Sequence, residues 1–93
     1  MPDYLARVEI FRANSEEYVG LHEGMEALGL KRTIEGQNAT NKLPIGTYYG
    51  YSDLDTQDLS KRVLDVARPF SLPSEPLVIV SQSLGWAGWL ESA

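Results

Sequence analysis

The stretch Tyr4-Leu5-Ala6-Arg7-Val8-Glu9-Ile10-Phe11-Arg12, with Asn14-Ser15-Glu16-Glu17 close behind it, decides the fold. Tyr4, Ala6, Val8 and Ile10 share one parity, while Leu5, Arg7, Glu9 and Phe11 share the other. Period-two alternation rich in β-branched and aromatic residues predicts a strand over residues 4–12 with one well-buried face. The opposite face mixes two apolar residues with an Arg and a Glu, as a sheet surface would if exposed or covered by a second copy. Asn14 offers an acceptor to the free N–H groups of a first helical turn, and Glu17 can bond back to it, the two halves of a capping box. Glu16 and Glu17 also suit the positive end of the helix dipole.

Tyr18, Leu21, Met25 and Leu28 then fall on one helical face, and Gly29 is a natural left-handed stop, so a helix spans residues 15–28. Gly20 and Gly24 each cost about 1 kcal/mol relative to Ala. They lie on one side of the helix and admit a close neighbour.

Further outward, residues 30–34 read as a short strand, 35–42 as a polar turn region, and 43–51 as the returning strand, with Pro44 at its start or at a bulge. Asp55, with Asp53 as competitor, caps a second helix on which Leu59, Val63, Val66, Ala67 and Phe70 share a face; Pro69 ends it near Arg68. Residues 77–82 form another strand, and residues 86–90 a short final one. The order β-α-β-β-α-β predicts a single α+β domain over residues 1–93, a ferredoxin-like sandwich with both helices on one face of an antiparallel sheet and strand order 4-1-3-2. Its expected core joins Val8, Ile10, Leu21, Met25, Leu28, Leu59, Val63, Val66 and Ile79.

Composition narrows the function. Ninety-three residues make one small domain. With no Cys and one His, there is no disulfide framework, thiolate site or multi-His metal site within one chain. Thirteen acids against eight bases, a net charge of −5, argue against a grip on long duplex DNA, which needs a basic face, but leave room for contact with a few nucleotides. The apolar runs are short and Met1-Pro2-Asp3-Tyr4 lacks a basic leader, so a soluble, cytoplasmic protein with no membrane contact is expected.

His22 is the one side chain whose ordinary pKa lies near neutrality; it reads either as a boundary residue of the helix or as a proton-transfer group. Asp53, Asp55 and Asp58 lack the turn glycine and distal Glu of a calcium loop and read as helix capping, and no phosphate-cradling glycine motif is present. Neither a metal nor a cofactor is expected. Tyr48, Tyr49 and Tyr51, with Phe11 and Trp86, form either a base-stacking sheet surface or core and interface packing. Arg7, Arg12, Lys31 and Arg32 are the candidate basic cluster, against a plain solvated surface.

Arg7-Val8-Glu9-Ile10, the pattern Tyr18-x-x-Leu21-His22-x-x-Met25-x-x-x-Gly29-Leu30-x-Arg32-Thr33-Ile34, Leu43-Pro44 before a Tyr-rich strand, and the late Trp-containing end together resemble the GhoS-type antitoxins of type V toxin–antitoxin systems. The resemblance covers most of the chain. It implies a ferredoxin-like fold akin to that of small CRISPR-associated nucleases, and an endoribonuclease acting on the messenger RNA of a membrane toxin. Those nucleases hold a metal with an Asp at the end of the first strand; here that stretch is Ile10-Phe11-Arg12-Ala13. Any cleavage is therefore expected to be metal-independent, with Arg12 and His22 as the catalytic pair and Arg7, Lys31, Arg32, Tyr49 and Tyr51 binding single-stranded RNA. The alternative is a non-enzymatic binding module. A homodimer is expected on either reading, through the sheet face that carries Leu5, Phe11 and tyrosines.

Overall fold

The computed structural model describes residues 2–11, 14–36 and 39–92. Alternation in the first strand is realised over β1 (Asp3–Glu9): Tyr4, Ala6 and Val8 are buried and the residues between them are exposed. Asn14 then caps α1 (Ser15–Ala27). Its Oδ1 accepts from the N–H groups of Glu16 and Glu17 at 2.9 and 3.2 Å, and Glu17 Oε2 accepts from the Asn14 N–H at 3.1 Å. The helix buries Leu21 and Met25, with Leu28 packed partly against the same core. A Cβ at Gly20 would collide with the Phe70 ring, and one at Gly24 with a Val66 methyl, so the glycine side of α1 is where the second helix comes close. Gly29 takes φ of +88°, ending the helix in the left-handed region.

Six strands follow from the described residues, more than the four or five expected. The segment 30–34 splits into β2 (Leu30–Lys31) and β3 (Thr33–Glu35). Leu30 and Ile34 are both buried, and Arg32 shares their parity. A straight strand would bury the guanidinium between two apolar side chains at a prohibitive desolvation cost. The chain bends at Arg32 instead and leaves it exposed. The returning segment breaks likewise into β4 (Thr40–Lys42) and β5 (Thr47–Tyr51), interrupted where Pro44 cannot donate to a ladder. The Leu43 N–H donates to the Arg32 carbonyl at 2.8 Å, which holds the two bends side by side.

Asp55 caps α2 (Thr56–Ala67) by accepting from the Asp58 N–H at 2.8 Å. Leu59, Val63 and Ala67 are buried, with Val66 and Phe70 half-buried beside them. A single tight turn over Arg68–Phe70, with Pro69 inside it, closes the helix. Buried Ser71 links the connector to the end of β1, accepting from the Phe11 N–H at 3.0 Å and donating to the Ser74 carbonyl at 2.9 Å.

β6 (Leu77–Ser83) completes an antiparallel four-stranded sheet in the order β2-β5-β1-β6, while β3 and β4 form a separate two-stranded sheet. The β1–β6 register pairs Val8 with Val78 and Arg7 with Ile79. Val78 and Val80 thus pack toward the core, and Ile79, expected in the core, is 66% exposed. Leu77-Val78-Ile79-Val80 is apolar in both parities, so its phase is set by pairing with β1 and not by its own pattern. Residues 86–90, expected as a strand, have no regular structure. They carry the chain back to the small sheet, where the Lys42 N–H donates to the Glu91 carbonyl at 2.8 Å and Asn41 bridges Ser92. Among the described residues no helix is long and apolar enough to cross a membrane.

Candidate functional site

Tyr18, His22 and Glu26 follow one another at four-residue spacing on α1 and lie on one strip of the helix. Opposite them stand the bend at Arg32 and the segment from Lys42 to Ile45. Between the two lies a cleft made of two adjoining cavities of about 450 and 670 Å³. The smaller is edged by Lys31, Lys42, Leu43 and Pro44, the larger by Asn14, Tyr18, Val19 and Glu23. His22, Glu26, Arg32 and Ile45 line both.

Half-buried His22 is held from below. Its Nδ1 lies 2.7 Å from the hydroxyl of Tyr48, a residue of β5 buried in the core. The two ring centroids are 5.7 Å apart, and the Tyr18 ring tilts against the imidazole from the other side at 6.1 Å. Burial, and secondarily the Arg32 guanidinium, hold the imidazole pKa below its usual 6.5. Burial pushes the Tyr48 phenol up to about 12, against an opposing pull from Arg32. At pH 7 the pair is therefore a neutral imidazole bonded to a neutral phenol. With Nδ1 engaged by Tyr48, Nε2 is the ring nitrogen left for a ligand. Nε2 accepts a proton in the tautomer whose Nδ1–H donates to the Tyr48 oxygen.

Of the residues singled out from sequence, the cleft unites His22, Lys31 and Arg32. Arg12 lies outside the described residues. Arg7, Tyr49 and Tyr51 have the parity of the sheet face turned away from the helices, opposite buried Tyr48. There Tyr49 donates to Asp3 Oδ2 at 3.1 Å, and Tyr51 is exposed. Arg7 Nη1 donates to the Ile45 carbonyl at 2.7 Å, so it anchors the loop that walls the cleft. Tyr18, Glu26, Lys42 and Tyr48 were not singled out as partners of His22. The spacing of Tyr18, His22 and Glu26 was the available signal for two of them; nothing local in the sequence brings Lys42 or Tyr48 to the same place.

Among the described residues no three His, Asp or Glu side chains gather as a metal ion requires. The cleft sets a neutral imidazole, with the Arg32 charge near it, in one cavity with Lys31, Lys42 and Glu26. No protein-family model, no curated protein and no solved structure matches the chain.

Proposed function

We propose that the cleft binds a phosphodiester of single-stranded RNA and cleaves it without a metal, as an endoribonuclease of the antitoxin type whose target is a toxin messenger RNA. The observation that carries this reading is the convergence of His22 with Arg32, Lys31 and Lys42 in a chain whose net charge is −5. Three cations against the one carboxylate of Glu26 in that concavity leave a local positive excess in an acidic molecule, which fits a small anionic ligand. The four-stranded sheet, read without the small accessory sheet, fits a ferredoxin-like βαββαβ plan, with the cleft outside its β2 edge.

In the reaction, Nε2 of His22 takes the proton of a ribose 2′-hydroxyl and the 2′-oxygen forms a bond to phosphorus. The P–O5′ bond breaks, the departing 5′-oxygen takes a proton from water, and the hydroxide so formed takes the proton held on Nε2, which returns His22 to its neutral form. The products are a 2′,3′-cyclic phosphate and a 5′-hydroxyl end. Arg32 stabilises the charge that grows on the non-bridging oxygens, where a planar guanidinium can donate two hydrogen bonds. Tyr48 fixes the orientation of the imidazole. The Glu26 carboxyl group, which lines both cavities, suits sugar hydroxyls or base N–H groups.

The test is incubation of labelled single-stranded RNA with wild type, His22→Gln and Arg32→Ala, with and without EDTA. Cleavage that survives EDTA, leaves a cyclic phosphate and falls by about 10²–10⁴-fold in each variant is the expected result. No cleavage by wild type, or equal rates in all three proteins, overturns the enzymatic reading.

A second reading, a non-enzymatic dimeric module, is favoured by the sheet face away from the helices. Leu5, Tyr51, Leu77 and Ile79 are exposed there, and β6 is an edge strand with no charged residue in its seven positions. Such an edge can pair antiparallel with its own copy without repulsion. Sedimentation that finds only a 10.3 kDa species at micromolar concentration removes this reading.

A further inference from the structure

Resting on the phosphodiester reading above, we infer that the cleft holds one dinucleotide step in a fixed register. The phosphodiester sits at the His22–Arg32 junction, one base lies against Tyr18 in the larger cavity, and the neighbouring nucleotide, with its own terminal phosphate, lies in the cavity edged by Lys31 and Lys42.

The two cavities share part of their walls. His22 and Arg32 line both, so a group bound to them stands between two hollows and not at the end of one. Each hollow, at about 450 and 670 Å³, is of a size that small-molecule sites use. The unshared walls differ in chemistry. Tyr18 tilts against His22 and has exposed Val19 beside it, which makes an aromatic and aliphatic platform free of cations. Every base has a π-face, so such a platform takes a base of any sequence. The smaller cavity pairs two lysines with Leu43 and Pro44. Lysine is a mobile point charge suited to a terminal or flanking phosphate, while the fork of Arg32 suits the two non-bridging oxygens of the central one. Glu26 lines both cavities, but Glu23 lines the larger one alone, which disfavours a second phosphate on that side. The cleft is therefore polar along its length, with base recognition at one end and phosphate recognition at the other.

The experiment is a calorimetric and NMR titration with uncleavable 2′-O-methyl ligands: a mononucleotide, a dinucleotide, a dinucleotide bearing a terminal phosphate at either its 5′ or its 3′ end in separate arms, and a trinucleotide. Wild type is expected to bind the dinucleotide about 5- to 150-fold more tightly than the mononucleotide, the range that one stacked base supplies. One of the two terminal phosphates adds affinity, and a third nucleoside adds none. Tyr18→Leu, which keeps an apolar side chain against the core, removes the gain from the second base. Lys31→Gln with Lys42→Gln removes the gain from the terminal phosphate and flattens the salt dependence. Equal affinity for mono- and dinucleotide, or a dinucleotide gain that survives Tyr18→Leu, overturns the register while leaving the junction site in place. Failure of every ligand to bind or to move the His22 resonances overturns the phosphodiester reading and this inference with it. The chain-length series on wild type decides the register even where a variant does not fold.

Discussion

The β1–α1 unit and the arm from Leu30 to Tyr51 begin from similar alternating sequence and end differently. The first forms one unbroken strand and one capped helix, and every local rule in it points the same way: parity, capping box and glycine stop. The second bends at Arg32 and again around Pro44. Those two bends produce the cleft. A cation at a buried parity and an imide without an N–H spoil a straight hairpin, and the same defects place Arg32, Lys42 and Ile45 opposite His22. Agreement across levels holds the first region straight, and local conflict breaks the second into short strands.

The largest expected effect tests whether both regions share one core. Leu59 is fully buried on α2, and Leu59→Ala should lower stability by about 2–5 kcal/mol through loss of packing and a residual cavity. Lys42→Ala, on the exposed arm, should stay within about 0.5 kcal/mol of wild type. Urea denaturation of both measures the contrast. A loss below about 1 kcal/mol for Leu59→Ala would break the packing of α2 against the sheet.

Arg32 sharpens the comparison, because the arm is proposed to bend for the sake of this cation. Arg32→Val puts a β-branched side chain between two buried residues, where a strand accepts it. Stability should hold or rise within about 1 kcal/mol, the span of strand propensity, while RNA cleavage falls by about 10²–10³-fold for loss of the charge that stabilises the transition state. Destabilisation with cleavage intact would make Arg32 a structural residue and detach the bend from function.

Asn14 measures the well-behaved half. Asn14→Ala removes the acceptor of two helix N–H groups and leaves the backbone N–H that Glu17 meets, so it should cost about 0.5–2 kcal/mol. Denaturant midpoints that do not move would show that the cap observed in the structure contributes nothing net.

What was legible in the sequence follows the same division. The cap at Asn14, the stop at Gly29, the cap at Asp55 and the buried parity of β1 are each determined within a few residues, and each stands where periodicity and capping chemistry put it. Ile79 was misplaced because its strand is apolar on both sides, and only the pairing of Val78 with Val8 fixes the phase. The split of the hairpin follows from Arg32 sharing a parity with Leu30 and Ile34, a conflict present in the sequence whose resolution depends on a space for the side chain to enter. Within the cleft, His22, Lys31 and Arg32 were visible as residue types. Tyr48 was visible as an aromatic of the core or sheet surface but not as a partner of His22, and Lys42 was not, because only pairings between distant segments bring them to the cleft.

The smallest expected effect concerns protons, and it tests the cleft through its one imidazole. Tyr48 contacts His22 directly, Tyr18 tilts against it, and Arg32 and Glu26 line the same cavities. Burial and the Arg32 charge hold the His22 pKa below 6.5 in the folded chain, while in the unfolded chain the ring titrates at its ordinary value. Between those two values the unfolded state binds more protons, so stability rises with pH there. The contribution is complete above pH 6.5 and is lost as pH falls toward the folded value. Denaturant midpoints between pH 7.5 and 5.5 should therefore decline for wild type and decline less for His22→Gln. Cleavage should follow the same group, with an acid limb below pH 6.5 as the neutral base is lost. Arg32→Ala should move that limb upward, since removing the nearby cation relieves one of the two causes of the depressed pKa. A limb that stays in place in Arg32→Ala, or parallel stability slopes in wild type and His22→Gln, would show that His22 is not the group titrating in the cleft.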